Sequence, residues 1–183
     1  MKSVLKTKSV LIFALIVTAP SVVLAQAPDS KTLSSPVADA TRASLQLEAK
    51  NLTAATEEMS ADKYSFRPTA QQMTFAHLMA HIGVSNRFMC SGIAGQPAPK
   101  DTGVTDKDGK DKLVAEVKAS FDYCPSALAK VDDSKLGEEI PLFGRTRANL
   151  MMFLTAEFAD HYTMAAMYLR LNALLPPTAQ PKK

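Results

Sequence analysis

Several patterns that commonly indicate a fold or a function are missing from this sequence of 183 residues. No stretch shows the sustained alternation of apolar and polar residues that predicts β-strands. There is no internal repeat and no glycine-rich phosphate loop, and no Ser-His-Asp or Cys-His arrangement indicates a nucleophile. These absences disfavour a β-protein, a repeat protein and a P-loop enzyme. They leave a helical protein whose chemistry must come from other residues.

Beyond its first 25 residues, the chain also lacks an excess of either positive or negative charge. The chain has 21 Lys+Arg and 18 Asp+Glu, but its first 25 residues carry three lysines and no acid. The remainder therefore has 21 − 3 = 18 basic residues against 18 acidic ones, a net charge of zero. Nucleic-acid binding needs a basic surface. The balanced charge gives no electrostatic case for such a partner.

Residues 1–25 have the layout of a secretory signal peptide. A lysine-rich start precedes an apolar core from Val10 to Val17, and Val23-Leu24-Ala25 forms a small-residue cleavage pattern. The alternative is an uncleaved membrane anchor, but Pro20 breaks an apolar run that is already short for a span of about 20 residues. We expect cleavage, no stable membrane span afterwards, and export to the bacterial periplasm or out of the cell.

The remaining chain is expected to form one domain. A flexible lead-in over 26–35 precedes a four-helix bundle over 36–177, and 178–183 form a C-terminal tail. Helical periodicity predicts four helices. The first helix covers roughly 36–59, and the second starts after an N-cap at Thr74. The third starts after a cap at Asp111 and is kinked or broken at Pro125. The last covers about 147–173 after a cap at Thr146.

The connection between the second and third helices is too long for a tight hairpin. About 17 extended residues, at about 3.3 Å each, can run the length of a bundle, so these two helices can lie parallel. Cys90 and Cys124 would then sit at the same level near the two helix ends. An even pair in an oxidising compartment favours a disulfide, whose Cα atoms must come within roughly 7 Å. Two free buried thiols are the alternative.

Two polar residues interrupt the apolar stripe of the last helix. Glu157 and His161 lie four residues apart on one face, in the middle of the stripe formed by Leu150, Phe153, Leu154, Glu157, His161, Met164, Ala165, Tyr168 and Leu171. A buried carboxylate is costly unless it is paired or binds a metal. The second helix carries the other two histidines, His77 and His81, and His81 lies at the edge of that helix's core face.

These residues form a candidate site for a divalent metal such as zinc, iron or nickel. Two imidazoles and a carboxylate, from His81, Glu157 and His161, are suitable ligands and leave coordination positions open. The alternative is a buried, hydrogen-bonded Glu157–His161 pair without metal. Asp160 and His77 are weaker candidates for residues that hydrogen-bond to the ligand side chains. Asp160 is equally explained as a solvated acid on the flank of the helix.

Two segments of the chain resemble the DinB-like (DinB/YfiT) superfamily of helical bundles. KYSFRPTAQQMTFAHLMAHI is similar to its loop, Phe-Arg-Pro segment and second helix, and HYTMAAMYLRLNALLPP is similar to its terminal helix. The resemblance covers about 40–177 and implies an up-down-down-up bundle. It also implies a three-residue metal site, usually all histidine, which falls on His81, Glu157 and His161. Glu157 departs from that pattern. Family members often form dimers, so a homodimer is left open.

Two functions follow from the resemblance and the residues together. The first is an exported, metal-dependent hydrolase or transferase that acts on an unidentified small molecule, with catalytic residues beyond the ligands unknown. Some members of the superfamily use bacillithiol or mycothiol on a metal centre, but export argues against a cytosolic thiol. The second is a non-catalytic, stress-related helical-bundle binding protein with a buried Glu-His pair and no metal.

Overall fold

The computed structural model describes residues 34–141 and 143–181, so the predicted signal peptide and most of the predicted lead-in lie outside the described residues. Four helices dominate, joined by short turns of 3-10 helix and one small hairpin. The helices are α1 (Pro36–Glu58), α2 (Phe75–Ala94), α3 (Lys110–Leu128) and α4 (Arg147–Leu171); the strands are β1 (Glu139–Ile140) and β2 (Arg145–Thr146); the 3-10 helices are Ala61–Lys63, Asp133–Lys135 and Pro177–Ala179.

Threonine side chains cap the two helices that carry the candidate ligands. The Thr74 hydroxyl accepts from the backbone N–H of His77 at 3.0 Å, and the Thr146 hydroxyl accepts from that of Asn149 at 3.3 Å. Each satisfies a backbone donor that the first turn leaves without an intrahelical partner. Gly95, with φ of 67°, ends α2 in the left-handed conformation that glycine adopts without strain. Both predicted threonine caps are confirmed.

The third helix differs from the prediction at two positions. Gly109, not Asp111, occupies the N-cap, and Asp111 lies in the first helical turn, where its charge favours the positive end of the helix dipole. Pro125 lies inside α3 without ending it, because the helix continues to Leu128. The hydrogen bond that proline cannot donate falls in the last turn, where its loss costs least. Of the two predicted outcomes, a kink or a break, the break is wrong.

Helices α2 and α3 run parallel. Asn86 donates to the Ser120 hydroxyl at 3.1 Å, and four residues further along both helices a disulfide joins Cys90 to Cys124, with the Cα atoms 5.4 Å apart. From the first contact to the second, the residue numbers increase on both helices, so the two helices run in the same direction. The long crossover therefore runs along the bundle from the end of α2 to the start of α3, as its length allows.

The outer helices run in the opposite direction. At one end of the bundle, the Lys110 ammonium at the start of α3 donates to the Met59 carbonyl just past α1, at 2.8 Å. At the other end, Arg42 near the start of α1 donates to the carbonyl of Leu128, which ends α3. Helix α1 is therefore antiparallel to α3.

Helix α4 is likewise antiparallel to α2, because the Tyr168 hydroxyl near its end donates to the Met73 carbonyl just before α2, at 2.6 Å. The four helices make an all-α bundle with up-down-down-up topology. Within 34–141 and 143–181, no helix is both long and apolar enough to cross a membrane.

The core is formed by one buried face of each helix, and the predicted stripe of α4 is largely correct. Helices α2 and α3 each bury a face with helical spacing, formed by Phe75, Leu78, Met79, Ile82, Asn86, Met89, Leu113, Val117, Phe121, Cys124 and Leu128. In α4 the prediction is wrong at Phe153 and Leu171, whose side chains are 39% and 55% exposed. Both lie at the margin of the apolar stripe, where side chains point away from the neighbouring helices.

A hairpin that the sequence does not reveal precedes α4. Its antiparallel strands pair Glu139 with Thr146 and Ile140 with Arg145. The turn places Phe143 against α2, where its ring lies 4.9 Å from the Phe88 ring and fills the space in front of Gly92. A side chain at Gly92 would displace that ring. The hairpin therefore forms part of the wall of the site described below.

Gly83 on α2 packs directly against the side chain of Glu116 on α3. A Cβ atom built there would lie 2.6 Å from Cγ of Glu116, a buried residue whose carboxylate pairs with Arg87. We expect Gly83→Ala to destabilise the protein by about 1–2 kcal/mol, because overpacking exceeds the gain of about 1 kcal/mol in helix propensity. Urea unfolding followed by far-UV circular dichroism measures the change.

The matched control is Gly137→Ala, since a Cβ atom there meets nothing within 4 Å. That variant should unfold within about 0.5 kcal/mol of the wild type. Equal stability of the Gly83 variant and the wild type would mean that Glu116 moves aside without cost.

Candidate metal centre

Helices α2 and α4 bring the three predicted ligands together. His81, Glu157 and His161 each offer a nitrogen or a carboxylate oxygen, and these three atoms lie within 4.8 Å of one another. Glu157 and His161 are neighbours because they lie one turn apart on α4. His81 joins them because α2 packs antiparallel beside α4. The long-range part of the prediction, which needed two helices to meet at this level, agrees with the structure.

The contacts among the three side chains are looser than hydrogen bonds. Nε2 of His161 lies 3.5 Å from a carboxylate oxygen of Glu157, beyond the usual range for a hydrogen bond between nitrogen and oxygen. The rings of His81 and His161 meet edge to face, with centres 5.2 Å apart. The three groups therefore face a common point without satisfying one another.

The donors also fit a metal ion in chemistry and burial. His161 is 4% exposed, and its Nδ1 has no hydrogen-bond partner among the described residues. The Ser85 hydroxyl lies 3.3 Å from Nε2 of His81, close enough to orient that ring. Two imidazole nitrogens and one carboxylate are a common ligand set for zinc and other divalent transition metals. Of the three donors only His161 is buried, and His81 and Glu157 are half-buried, so a metal held by them would remain open to the solvent side.

Burial keeps His161 neutral at physiological pH. Desolvation lowers its pKa to about 4, the neighbouring His81 acts in the same direction, and Asp160 opposes them. Glu157 also favours the charged ring from 3.5 Å, but its carboxylate is 31% exposed and screened by solvent, whereas the imidazole is buried. Only a neutral imidazole has the lone pair that binds a metal. The protein thus presents His161 in the form a metal requires.

A cavity of about 470 Å³ opens in front of the three donors. Its walls are mainly apolar, and its polar residues besides the three donors are Ser85, Asn86 and Arg145. The apolar walls are formed by Phe88, Met89, Phe143, Leu150, Phe153 and Leu154. A volume of this order accommodates a small organic molecule.

The two weaker candidates are exposed residues on the same helices as the three donors. Asp160 is exposed, and it affects His161 only by raising its pKa through space. His77 is exposed one turn before His81, and its Nδ1 lies 3.4 Å from a carboxylate oxygen of Asp106. Within the described chain, no hydrogen bond joins either residue to a ligand.

Sequence reasoning missed three residues of the site. Ser85 had a usable signal, because it lies four residues after His81 on the same face of α2. Phe143 and Arg145 had none. They belong to a loop in the sequence, and only the fold of the hairpin brings them to the cavity.

The fold and the site define a class: an up-down-down-up four-helix bundle with a two-histidine, one-carboxylate cluster beneath an apolar cavity. The chain belongs to the DinB superfamily, whose family model matches residues 44–165. The family resemblance seen in the sequence is therefore confirmed.

Two solved structures share the fold. A DinB-like protein from Bacillus subtilis is 20% identical, with a TM-score of 0.60 over 80% of this chain and 99% of that chain. A DinB-like protein from Bacillus cereus is 17% identical, with a TM-score of 0.62 over 76% of this chain and 95% of that chain. No curated protein sequence matches significantly. At these identities, the likeness to the solved structures supports the fold alone.

Proposed function

We propose that this protein is a metal-dependent hydrolase or transferase whose centre is held by His81, Glu157 and His161. The observation that carries the proposal is the convergence of three donor atoms within 4.8 Å at the floor of an open, mainly apolar cavity. A purely structural pair would not need the third donor or the cavity. The metal would be zinc, iron or nickel, and the substrate a small molecule.

Each residue of the site has a distinct task. His161 is buried and neutral, so it offers a lone pair without a change of protonation. Glu157 supplies the negative charge that partly neutralises a divalent ion. Ser85 orients the ring of His81 through its hydroxyl. When bound, a metal with three protein ligands supplies Lewis-acid chemistry and lowers the pKa of a bound water.

Glu157 replaces the histidine that is usual at this position in the family. Three histidines leave the full charge of a divalent ion on the site, whereas two histidines and a glutamate leave a charge of one. A less positive centre holds anions less strongly and makes its bound water less acidic. This substitution therefore favours a chemistry different from that of an all-histidine centre.

Export is also part of the proposal. The disulfide between Cys90 and Cys124 supports an oxidising compartment, since disulfides are rare in the cytosol. The charge pattern of residues 1–25 supports the same location. A periplasmic or secreted enzyme would not meet a cytosolic thiol, so water or another small nucleophile would complete the reaction.

Metal analysis tests the proposal directly. Protein purified without chelators should contain about one equivalent of divalent metal by inductively coupled plasma mass spectrometry. His81→Ala and Glu157→Gln should each weaken metal binding by at least about a hundredfold, because even outer-shell changes cost about 10- to 100-fold. His77→Ala and Glu58→Gln are matched controls, since both residues are exposed and outside the cluster. Both controls should bind metal like the wild type.

The second function, a binding protein without metal, makes the opposite predictions. Its supporting observation is the 3.5 Å approach of Glu157 to His161, which allows a paired carboxylate and imidazole. Wild-type protein without stoichiometric metal would support that function and remove the basis of the first. If metal binds but the two ligand variants retain it fully, the ligand assignment is wrong.

A further inference from the structure

Arg145 gives the cavity a positive charge on its wall. It lies on β2, and its guanidinium carbon lies 4.9 Å from the centre of the Phe153 ring. Arg145 is exposed, and within the described parts of the chain no acidic group lies within 4.0 Å of it, the limit for an ion pair. Its charge is therefore available to a ligand that enters the cavity.

The stacking on Phe153 holds the guanidinium ready to bind. A cation over an aromatic face is attracted to the ring and loses some of its freedom. The contact with the ring involves the guanidinium carbon, and the N–H donors of the same group match the two oxygens of a carboxylate. Arg145 is thus partly pre-organised for an anionic group.

Arg145 and the three donors line the same cavity, and Arg145 contacts the ring of Phe153 on the helix that carries Glu157 and His161. Phe153 precedes Glu157 by one helical turn, which places its Cα about 6 Å away along the helix axis. Phe88 and Phe143 line the cavity as well, with their rings 4.9 Å apart. A ligand that enters the cavity and reaches Arg145 therefore also meets apolar and aromatic side chains.

We propose that the cavity selects a small molecule with an apolar body and a single anionic group, and that Arg145 binds the anion. The proposal rests on the proposed function, since it assigns the substrate class of the same centre. Strongly polar compounds such as sugars would leave hydroxyl groups unpaired against the apolar walls, which costs free energy for each group. Arg145 is then the residue that determines specificity, and it is not one of the three candidate metal ligands.

Isothermal titration calorimetry with 4-phenylbutyrate and 4-phenyl-1-butanol tests this assignment, because the two probes differ mainly in the anion. Wild-type protein should bind the acid about five- to tenfold more tightly than the alcohol, as expected for one charge-assisted interaction. The preference should be present in metal-stripped as well as metal-loaded protein. Arg145→Gln should lose it while binding the alcohol unchanged. Arg170→Gln, at an exposed position in the last turn of α4, should keep it.

The outcomes separate Arg145 from the metal. If metal removal abolishes the preference and Arg145→Gln retains it, the metal binds the carboxylate and the proposal is overturned. Equal affinity for acid and alcohol in the wild type, or no binding of either, overturns it as well. If protein purified without chelators holds no stoichiometric metal and still shows a preference that depends on Arg145, the anion assignment is supported and the proposed function is contradicted. Far-UV circular dichroism confirms that each variant is folded.

Discussion

Removal of the Cys90–Cys124 disulfide should destabilise the protein by about 4 kcal/mol. The bridge closes a loop with a sequence separation of 34, and it restricts the unfolded chain far more than the folded one. The chain-entropy relation gives about 3 kcal/mol for 15 residues and about 4.7 kcal/mol for 100, so this loop falls between them. The double variant Cys90→Ala, Cys124→Ala should melt roughly 8–16 °C below the wild type for a domain of this size.

Far-UV circular dichroism is the appropriate probe, since the chain contains no tryptophan. Unfolding should be compared for oxidised wild type, wild type with reductant, and the double variant with and without reductant. Reductant should lower the stability of the wild type towards that of the variant and leave the variant unchanged. A wild type that is equally stable in both redox states would contradict a structural role for the bridge.

The disulfide and the topology could be predicted together because each constrains the other. Cys90 and Cys124 sit at similar distances from the ends of their helices, and only a parallel arrangement brings such positions level. The crossover loop is long enough to allow it. Helix bounds were predictable for a local reason: the Thr74 and Thr146 caps act on backbone donors within three residues.

The candidate ligands were predictable because polar residues on an apolar stripe are conspicuous. Glu157 and His161 follow the spacing of one helix face, and His81 lies on another helix whose core face is equally clear. The exposed fraction of each side chain was not predictable. Phe153 follows the same periodicity as Leu154, yet it is exposed, because periodicity gives a direction and not the position of the neighbouring helix.

The hairpin shows where sequence reasoning ends. Strands of two residues are too short to produce an alternating pattern, so β1 and β2 leave no periodic signal. Phe143 and Arg145 reach the cavity through the turn and through contacts with α2 and α4. Such contacts depend on packing between distant segments. The residue proposed to select the substrate is therefore one that only the structure reveals.

Metal-free protein should lose stability as the pH falls, and His161 should account for about 3 kcal/mol of that loss. Its pKa is about 4 in the folded state, against an ordinary value of 6.5. The unfolded chain therefore takes up a proton before the folded chain does. The contribution is fully present above pH 6.5 and is lost progressively as the pH falls to about 4, at about 1.4 kcal/mol for each unit of pKa difference.

The measurement is the free energy of urea unfolding for metal-stripped protein at about pH 7, 5.5 and 4.5, in the wild type and in His161→Gln. Glutamine keeps a polar side chain at the position but does not titrate, so the variant should show a shallower decline between pH 6.5 and about 4. His77→Gln is the matched control, since His77 is exposed. Its profile should follow the wild type. Parallel profiles for the wild type and His161→Gln would mean that the carboxylate of Glu157 offsets the burial of the ring, and that His161 accepts a proton as readily in the folded protein as in the unfolded chain.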